Sequence, residues 1–257
     1  MLRALIFDVD GTLADTEELH REAFNAAFMK MGLDWDWGHA EYKKLLEISG
    51  GKERIEHYVD SLLLTKVRRL ALRESIPMIH GEKTRIYKDL IESGQLPLRP
   101  GVARLLTDAR AAGLKLAIAT TTTLANVHSL LNTALPHRGA RWFDSVGAGD
   151  LVENKKPAPD IYNLVLSTLR VPVEECVAFE DSVNGLRAAK AAGLCTIVTP
   201  TRWNADHDFT GADLLRTSLD RDPDAPGAPF GLAEIEHLLR DSAPVRTLRT
   251  TANSGAA

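Results

Sequence analysis

Apolar residues fall along this chain in two rhythms. LRALIFDV, residues 2–9, is a short continuous apolar run that reads as a buried strand, Leu2 to Val9. From residue 15 the pattern becomes helical. DTEELHREAFNAAFMKMG places apolar side chains at Leu19, Ala23, Ala26, Ala27 and Met31. Helical periodicity continues to about residue 95, punctuated at Gly50-Gly51 and Pro77, without a convincing strand. The stripe Leu62, Leu63, Val67, Leu70 is expected to be core, and Trp35 and Trp37 either pack this segment or line its mouth. Beyond LPLRPG, residues 96–101, the second rhythm begins. The helix VARLLTDARAAG leads to the strand LKLAIAT, and a helix around 124–135 leads to a short strand from Ser145 to Ala148. A helix beginning near Ala158 leads to CVAFED, and a helix at 183–192 leads to CTIVTP. Strands alternating with crossover helices predict an α/β fold whose parallel sheet is covered on both faces.

The expected organisation is one α/β unit, residues 1–14 and 96–245, interrupted by a helical insertion at 15–95. DRDPDAPGAP, residues 220–229, is expected to be a loop, and 246–257 a disordered tail. With 35 acids against 31 bases the net charge is −4, so there is no global footprint for nucleic acid. No apolar run approaches the roughly 18 residues of a membrane span. An acid at position 8 interrupts any signal-peptide core, and a cytoplasmic location is expected. Cys176 and Cys195 form no CxxC and no zinc spacing; they read as small buried hydrophobes in a reducing compartment.

Open parallel sheets bind ligands beyond the carboxyl ends of their strands. Those ends carry Asp8 and Asp10, then Thr120, Thr121 and Thr122, then Lys155 or Lys156, then Glu180, Asp181 and Ser182. Clustered carboxylates repel one another unless a cation neutralises them, and hard oxygen donors suit Mg2+. Mg2+ with lysine and hydroxyl donors is equipment for a phosphoryl group. One carboxylate can then be a nucleophile, and a second, two residues on, an acid and base. Each piece also has a plainer reading. DVDGT opens like a calcium loop, but a strand precedes it and Leu13 stands where that loop needs glycine. TTTT is ordinary strand filler by itself, KKPAPD an ordinary loop with Lys155 exposed, and Ser182 or Asp181 a helix N-cap.

Together, DVDGT, the strand-end Thr120, Lys156 in KKPAPD and FEDS at 179–182 resemble the four motifs of haloacid dehalogenase-type phosphatases, in order across residues 8 to 182. The resemblance implies a Rossmann-like core with an inserted α-helical cap. It implies Asp8 as nucleophile and Asp10 as acid/base, with Thr120, Thr121 and Lys156 on the phosphate. Mg2+ would be held by Asp8, the Asp10 carbonyl and Asp181, with Glu180 in or near its surroundings. ADTEELHREAF, SGGKERI and KTRIYKDL are further similar to CbbY-type sugar-bisphosphate phosphatases, which remove the Rubisco inhibitor xylulose-1,5-bisphosphate. That likeness implies Glu17, His20, Lys52, Arg54 and Lys83 as cap-side contacts to a small phosphorylated sugar. Two alternatives stand beside it: a β-phosphoglucomutase-like mutase, disfavoured by DGT where those mutases carry DGV, and a non-catalytic binding protein of the same fold.

Overall fold

Among the described residues, six parallel strands form one sheet in the order β3-β2-β1-β4-β5-β6. The structure is a computed structural model that describes residues 1–93, 96–135, 139–220 and 230–242. The strands are β1 (Ala4–Phe7), β2 (Lys115–Ala119), β3 (Ser145–Gly147), β4 (Cys176–Glu180), β5 (Cys195–Val198) and β6 (Leu214–Leu215). Helices α1 (Glu17–Lys30), α2 (His39–Leu45), α3 (Gly51–Ser61) and α4 (Lys66–Ser93) all lie between β1 and β2. Then come α5 (Val102–Ala111), α6 (Leu124–Ala134), α7 (Asp160–Leu169), α8 (Val183–Ala191) and α9 (Leu232–Asp241). The two-residue β6 and the helix α9 are additions that the apolar pattern does not announce. The 220–229 loop lies outside the described residues from position 221 on, as does the whole of 246–257.

The period-two alternation of each strand sorts its side chains between two cores. Leu5, Phe7, Leu116, Ile118, Val177, Phe179 and Ile197 join the face covered by α5, α6 and α9. Ala4, Ile6, Ala117, Ala119, Cys176 and Ala178 face α7 and α8. This second face is built largely from alanine, so α7 and α8 pack on a shallow surface. Both cysteines are buried free thiols.

A third cluster lies wholly off the sheet. Phe24, Phe28, Trp37, Tyr42, Leu45, Ile55, Val59, Leu72, Ile76 and Ile79 fill the space among α1 to α4. Trp37 is fully buried there, with Phe28 edge-on at 4.7 Å, and Trp35 packs edge-on against Phe28 and Tyr58. Both tryptophans therefore pack the helical segment. The helical face of α1 is rotated from the expected one: His20, Phe24 and Phe28 are buried beside Ala23 and Ala27. The stripe expected as core is not core. Leu63 is 104% exposed, Val67 81% and Leu70 58%, because α4 turns Leu72, Ile76 and Ile79 inward instead. Pro77 does not end a helix either; it lies within α4 on the exposed side, where water can satisfy the carbonyl that its missing N–H would have met.

Candidate active site

The strand order reverses between β1 and β4, and open α/β sheets bind ligands at this kind of switch point. Phe7 pairs with Phe179 in the last register of β1 and β4, and the Asp8 N–H donates to the Phe179 carbonyl at 3.0 Å. Asp8, Glu180 and Asp181 are thereby delivered together. One carboxylate oxygen from each lies within 4.8 Å of the others, and all three residues are buried. Two glycines make room. Gly11 has φ +81°, and a Cβ there would run into the Asp181 carboxylate. At Gly185 a Cβ would run into the Glu180 carboxylate.

Lys156, also buried, crosses the cluster. Its Nζ donates to Asp8 Oδ1 at 2.7 Å and to Glu180 Oε1 at 2.6 Å, and the Tyr162 hydroxyl donates to the same Glu180 oxygen at 2.5 Å. Burial favours the neutral amine, but Asp8 and Glu180 outweigh it and hold the Lys156 ammonium above its usual range. One cation does not balance three acids. Burial, with repulsion from Glu180 and Asp10, lifts Asp8 to about 7 against the pull of Lys156. Burial and the charges of Asp8 and Glu180 lift Asp181 well above the carboxylate range. Glu180 Oε2 is buried with no hydrogen-bond partner. An all-oxygen cluster with surplus negative charge and an orphaned carboxylate oxygen fits a hard divalent cation such as Mg2+.

Asp10 has the opposite environment. Its Oδ1 accepts from Thr16 Oγ1 at 2.7 Å and lies 2.9 Å from His20 Nε2. Burial would raise its carboxyl, but His20, Thr16 and Lys83 outweigh it and hold it at about 2. Lys83 Nζ lies 2.5 Å from His20 Nδ1, and the His20 ring stacks on Tyr87 at 4.0 Å. A neutral His20 that accepts from Lys83 at Nδ1 and donates from Nε2 to Asp10 satisfies both contacts. Burial and the Lys83 charge favour that neutral ring, and burial lowers Lys83 itself to about 7.

The cluster opens into a cavity of about 540 Å³ between the sheet edge and the helical segment. Thr120 and Thr121 line it from the end of β2, beside Thr122, Thr123 and Asn126. Thr123 caps α6, accepting from the Asn126 N–H at 3.3 Å, so the TTTT run becomes a strand end and a helix start. Ser182 caps α8 by accepting from the Gly185 N–H at 3.1 Å, which leaves Asp181 facing the cluster. From the helical segment Glu17, His20, Arg54 and Lys83 line the cavity. Arg54 spends its donors internally, on the carbonyls of Leu45 and Ile48 and on Tyr42 Oη, whose hydroxyl donates to Glu17. Lys52 is not in the wall; it is exposed, 3.4 Å from Asp150. Lys155, expected to be exposed, is in the wall, with its side chain only 15% exposed and paired with Glu53 at 2.9 Å.

Asn184, Arg187, Trp203 and Asn204 also line the cavity and were not among the residues expected from sequence. Among the described residues, Arg187 is the arginine or lysine of the wall whose side chain makes no hydrogen bond or ion pair. Trp203 and Asn204 follow the carboxyl end of β5, and extending the strand-end reading one strand further would have reached them.

This architecture, a doubly wound parallel sheet with carboxylates from β1 and β4 and a lysine between them, defines a hydrolase class. A sequence profile of haloacid dehalogenase-like hydrolases matches residues 2–193, and the chain belongs to that family. Within it, the chain is 48% identical over 248 residues to the plasmid-borne CbbY protein of Cupriavidus necator, covering 95% of this chain and 96% of that one. The crystal structure of CbbY from Rhodobacter sphaeroides in complex with phosphate superposes with a TM-score of 0.78 at 47% identity, covering 85% of this chain and 95% of that one. An Asp-to-Asn variant of that protein in complex with xylulose-1,5-bisphosphate gives 0.79 at the same identity and coverage. A β-phosphoglucomutase from Clostridium difficile shares the fold, with a TM-score of 0.67 at 22% identity, covering 94% of this chain and 98% of that one.

Proposed function

We propose that this protein is a phosphatase that removes one phosphoryl group from a small sugar bisphosphate, xylulose-1,5-bisphosphate, through an aspartyl-phosphate on Asp8. The observation that carries the reading is the contrast between two aspartates two residues apart. Asp8 is buried among acids and touches Lys156, while Asp10 is turned toward Thr16 and His20. Two carboxyls held apart in this way can take different roles, one bonding to phosphorus and the other moving a proton. The CbbY protein solved with xylulose-1,5-bisphosphate supports the choice of sugar.

Asp8 carries the first step. Its oxygen attacks phosphorus as the bond from phosphorus to the sugar oxygen breaks, and that oxygen takes its proton from Asp10. The incoming phosphate dianion raises Asp10 by like-charge repulsion and lets it arrive protonated. In the second step Asp10, now a carboxylate, takes a proton from water; the water oxygen attacks phosphorus, the bond to Asp8 breaks, and inorganic phosphate leaves. Lys156 holds Asp8 on line and balances charge, and Thr120 with the Thr121 backbone receives the phosphoryl oxygens. Asp8, the Asp10 carbonyl and Asp181, with Glu180 beside them, would hold Mg2+. When bound, the ion offsets phosphoryl charge and keeps Asp8 ionised.

Residues 15–95 then act as the cap over a core of 1–14 and 96–245, and the remote phosphate meets Arg187, with Arg54 holding the cap wall around Glu17 and Tyr42. We place the enzyme in the cytoplasm, a reducing setting for its two free thiols. Among the described residues no helix is long and apolar enough to cross a membrane. The family likeness extends the reading to protection of Rubisco. The test is phosphate release in Mg2+ from xylulose-1,5-bisphosphate beside ribulose-1,5-bisphosphate and fructose-1,6-bisphosphate, with an EDTA arm and Asp8→Asn as blank. Preference for the xylulose compound, lost in EDTA and restored by Mg2+, is expected. Conversion of β-glucose 1-phosphate to glucose 6-phosphate without phosphate release would instead make the protein a mutase.

A further inference from the structure

The chain leaves β5 at Val198 and makes a tight turn at the sheet edge. The Thr199 N–H donates to the Glu180 carbonyl at 2.8 Å, and Arg99 donates to the carbonyls of Thr199 and Pro200 at 2.6 and 3.0 Å. Thr201 closes the turn. Its N–H donates to Asn204 Oδ1 at 2.8 Å, and its hydroxyl accepts from the Trp203 N–H at 3.2 Å. The next two side chains then part company. Trp203 leaves the core and enters the hydrophobic cluster of the helical segment, stacked on His39 at 5.8 Å and edge-on to Tyr42 at 5.6 Å. Asn204 turns back and donates from Nδ2 to Asp181 Oδ2 at 2.9 Å. Both are buried.

The orientation of that amide is set by its neighbours. Oδ1 already accepts from the Thr201 backbone N–H, so Nδ2 is obliged to face the acid. The carboxylate so held has an oxygen within 4.8 Å of those of Asp8 and Glu180. Trp203 is also a buried tie between the turn after β5 and the helical segment. The ion pairs that flank it, Lys43 with Asp206 and Arg202 with Glu18, are partly exposed, and pairs of this kind hold weakly.

We propose that Trp203 and Asn204 form a latch, in which seating of the helical segment on Trp203 fixes the Asn204 amide that aims Asp181 at the cation. Asn204 is a positioning residue, acting through Asp181, and Trp203 makes its geometry depend on closure. The proposal rests on the phosphatase reading insofar as it takes Asp181 to be a metal ligand.

The test is Mg2+ affinity of the full chain without substrate, by isothermal titration calorimetry, for wild type, Asn204→Ala, Trp203→Phe, Trp203→Ala and the two double variants. Asn204→Ala is expected to weaken Mg2+ by about tenfold or more, as loss of a group that orients a metal ligand does. The Trp203 substitutions are expected to weaken it less, and to add almost nothing once Asn204 is alanine. Trp203→Phe keeps an aromatic ring in the cluster and carries the test if Trp203→Ala does not fold. Saturating Mg2+ is expected to restore turnover to Asn204→Ala. The latch is overturned if Asn204→Ala binds Mg2+ like wild type, if the losses at 203 and 204 multiply independently, or if turnover stays low at saturating Mg2+. Wild type that binds no Mg2+ removes the metal-site reading and the latch with it, whereas normal wild-type binding beside unaffected variants removes the latch alone.

Discussion

Replacing Asp8 by asparagine should abolish turnover and, in metal-free protein, raise stability. The carboxyl is lifted from 3.8 to about 7 on folding, chiefly by burial and by its acidic neighbours. Between those two values the folded chain keeps a proton that the unfolded chain gives up, so stability falls as pH rises through the window. At about 1.4 kcal/mol per unit, the ionised carboxyl costs about 4 kcal/mol at pH 8 and about 2 kcal/mol at pH 5. Asparagine removes the charge and keeps an oxygen that can accept from Lys156, which retains Glu180 as its partner. The metal-free variant should therefore melt about 10 °C above wild type at pH 8, with the gain shrinking toward pH 4. Calorimetric melts in EDTA across pH 4 to 8 measure this. Excess Mg2+ should raise the wild-type melting temperature and close the gap. A variant no more stable than wild type, or a gain independent of pH, would refute the claim that burial of Asp8 among other acids destabilises the metal-free protein.

Other substitutions test the remaining parts. Lys156→Ala leaves Asp8 and Glu180 buried and unpaired, so a loss of about 3–5 kcal/mol in urea unfolding is expected along with loss of turnover. Gly11→Ala forces a side chain into the left-handed region, which costs about 1–2 kcal/mol; because its Cβ also meets the Asp181 carboxylate, turnover should fall further than stability. Arg187→Ala should raise KM for a sugar bisphosphate by about 10- to 100-fold, the worth of a charged hydrogen bond, and leave KM for a monophosphate nearly unchanged. Equal effects on both substrates would take Arg187 away from the remote phosphate.

Much of the sheet was legible because each strand is a short apolar run ended by polar residues. Its edge was legible because Asp8, Thr120 and Asp181 directly follow strand ends, with Lys156 on the loop that leaves β3. What escaped depends on contacts between distant segments. Lys155 looks like any loop lysine until Glu53, a residue of α3, comes to meet it. Leu63 falls in the link between α3 and α4, and Val67 and Leu70 have a helical spacing that suits a core, but a helix has room for only one buried face, and α4 gives it to Leu72, Ile76 and Ile79. Tyr162 as a partner of Glu180, and the diverging side chains of Trp203 and Asn204, follow from how α7 and the turn after β5 meet the sheet. Pattern alone does not carry that. β6 is too short to leave a periodic signal.

The position of β1 in the sheet bears on how the protein comes to fold. The earliest of these six strands in chain order is an interior one, and its partners are late: Ala4 pairs with Lys115 on one side and with Cys176 on the other. Closing such loops costs entropy before any pairing rewards it. Helices α1 to α4, by contrast, can gather their own aromatic cluster as soon as they emerge. The nascent chain should thus carry a locally folded helical knot while Leu5, Ile6 and Phe7 wait unpaired, an apolar segment open to chaperones or to other chains. Trp203 completes that knot from the far end of the molecule, so its final ring is placed only after the sheet has formed.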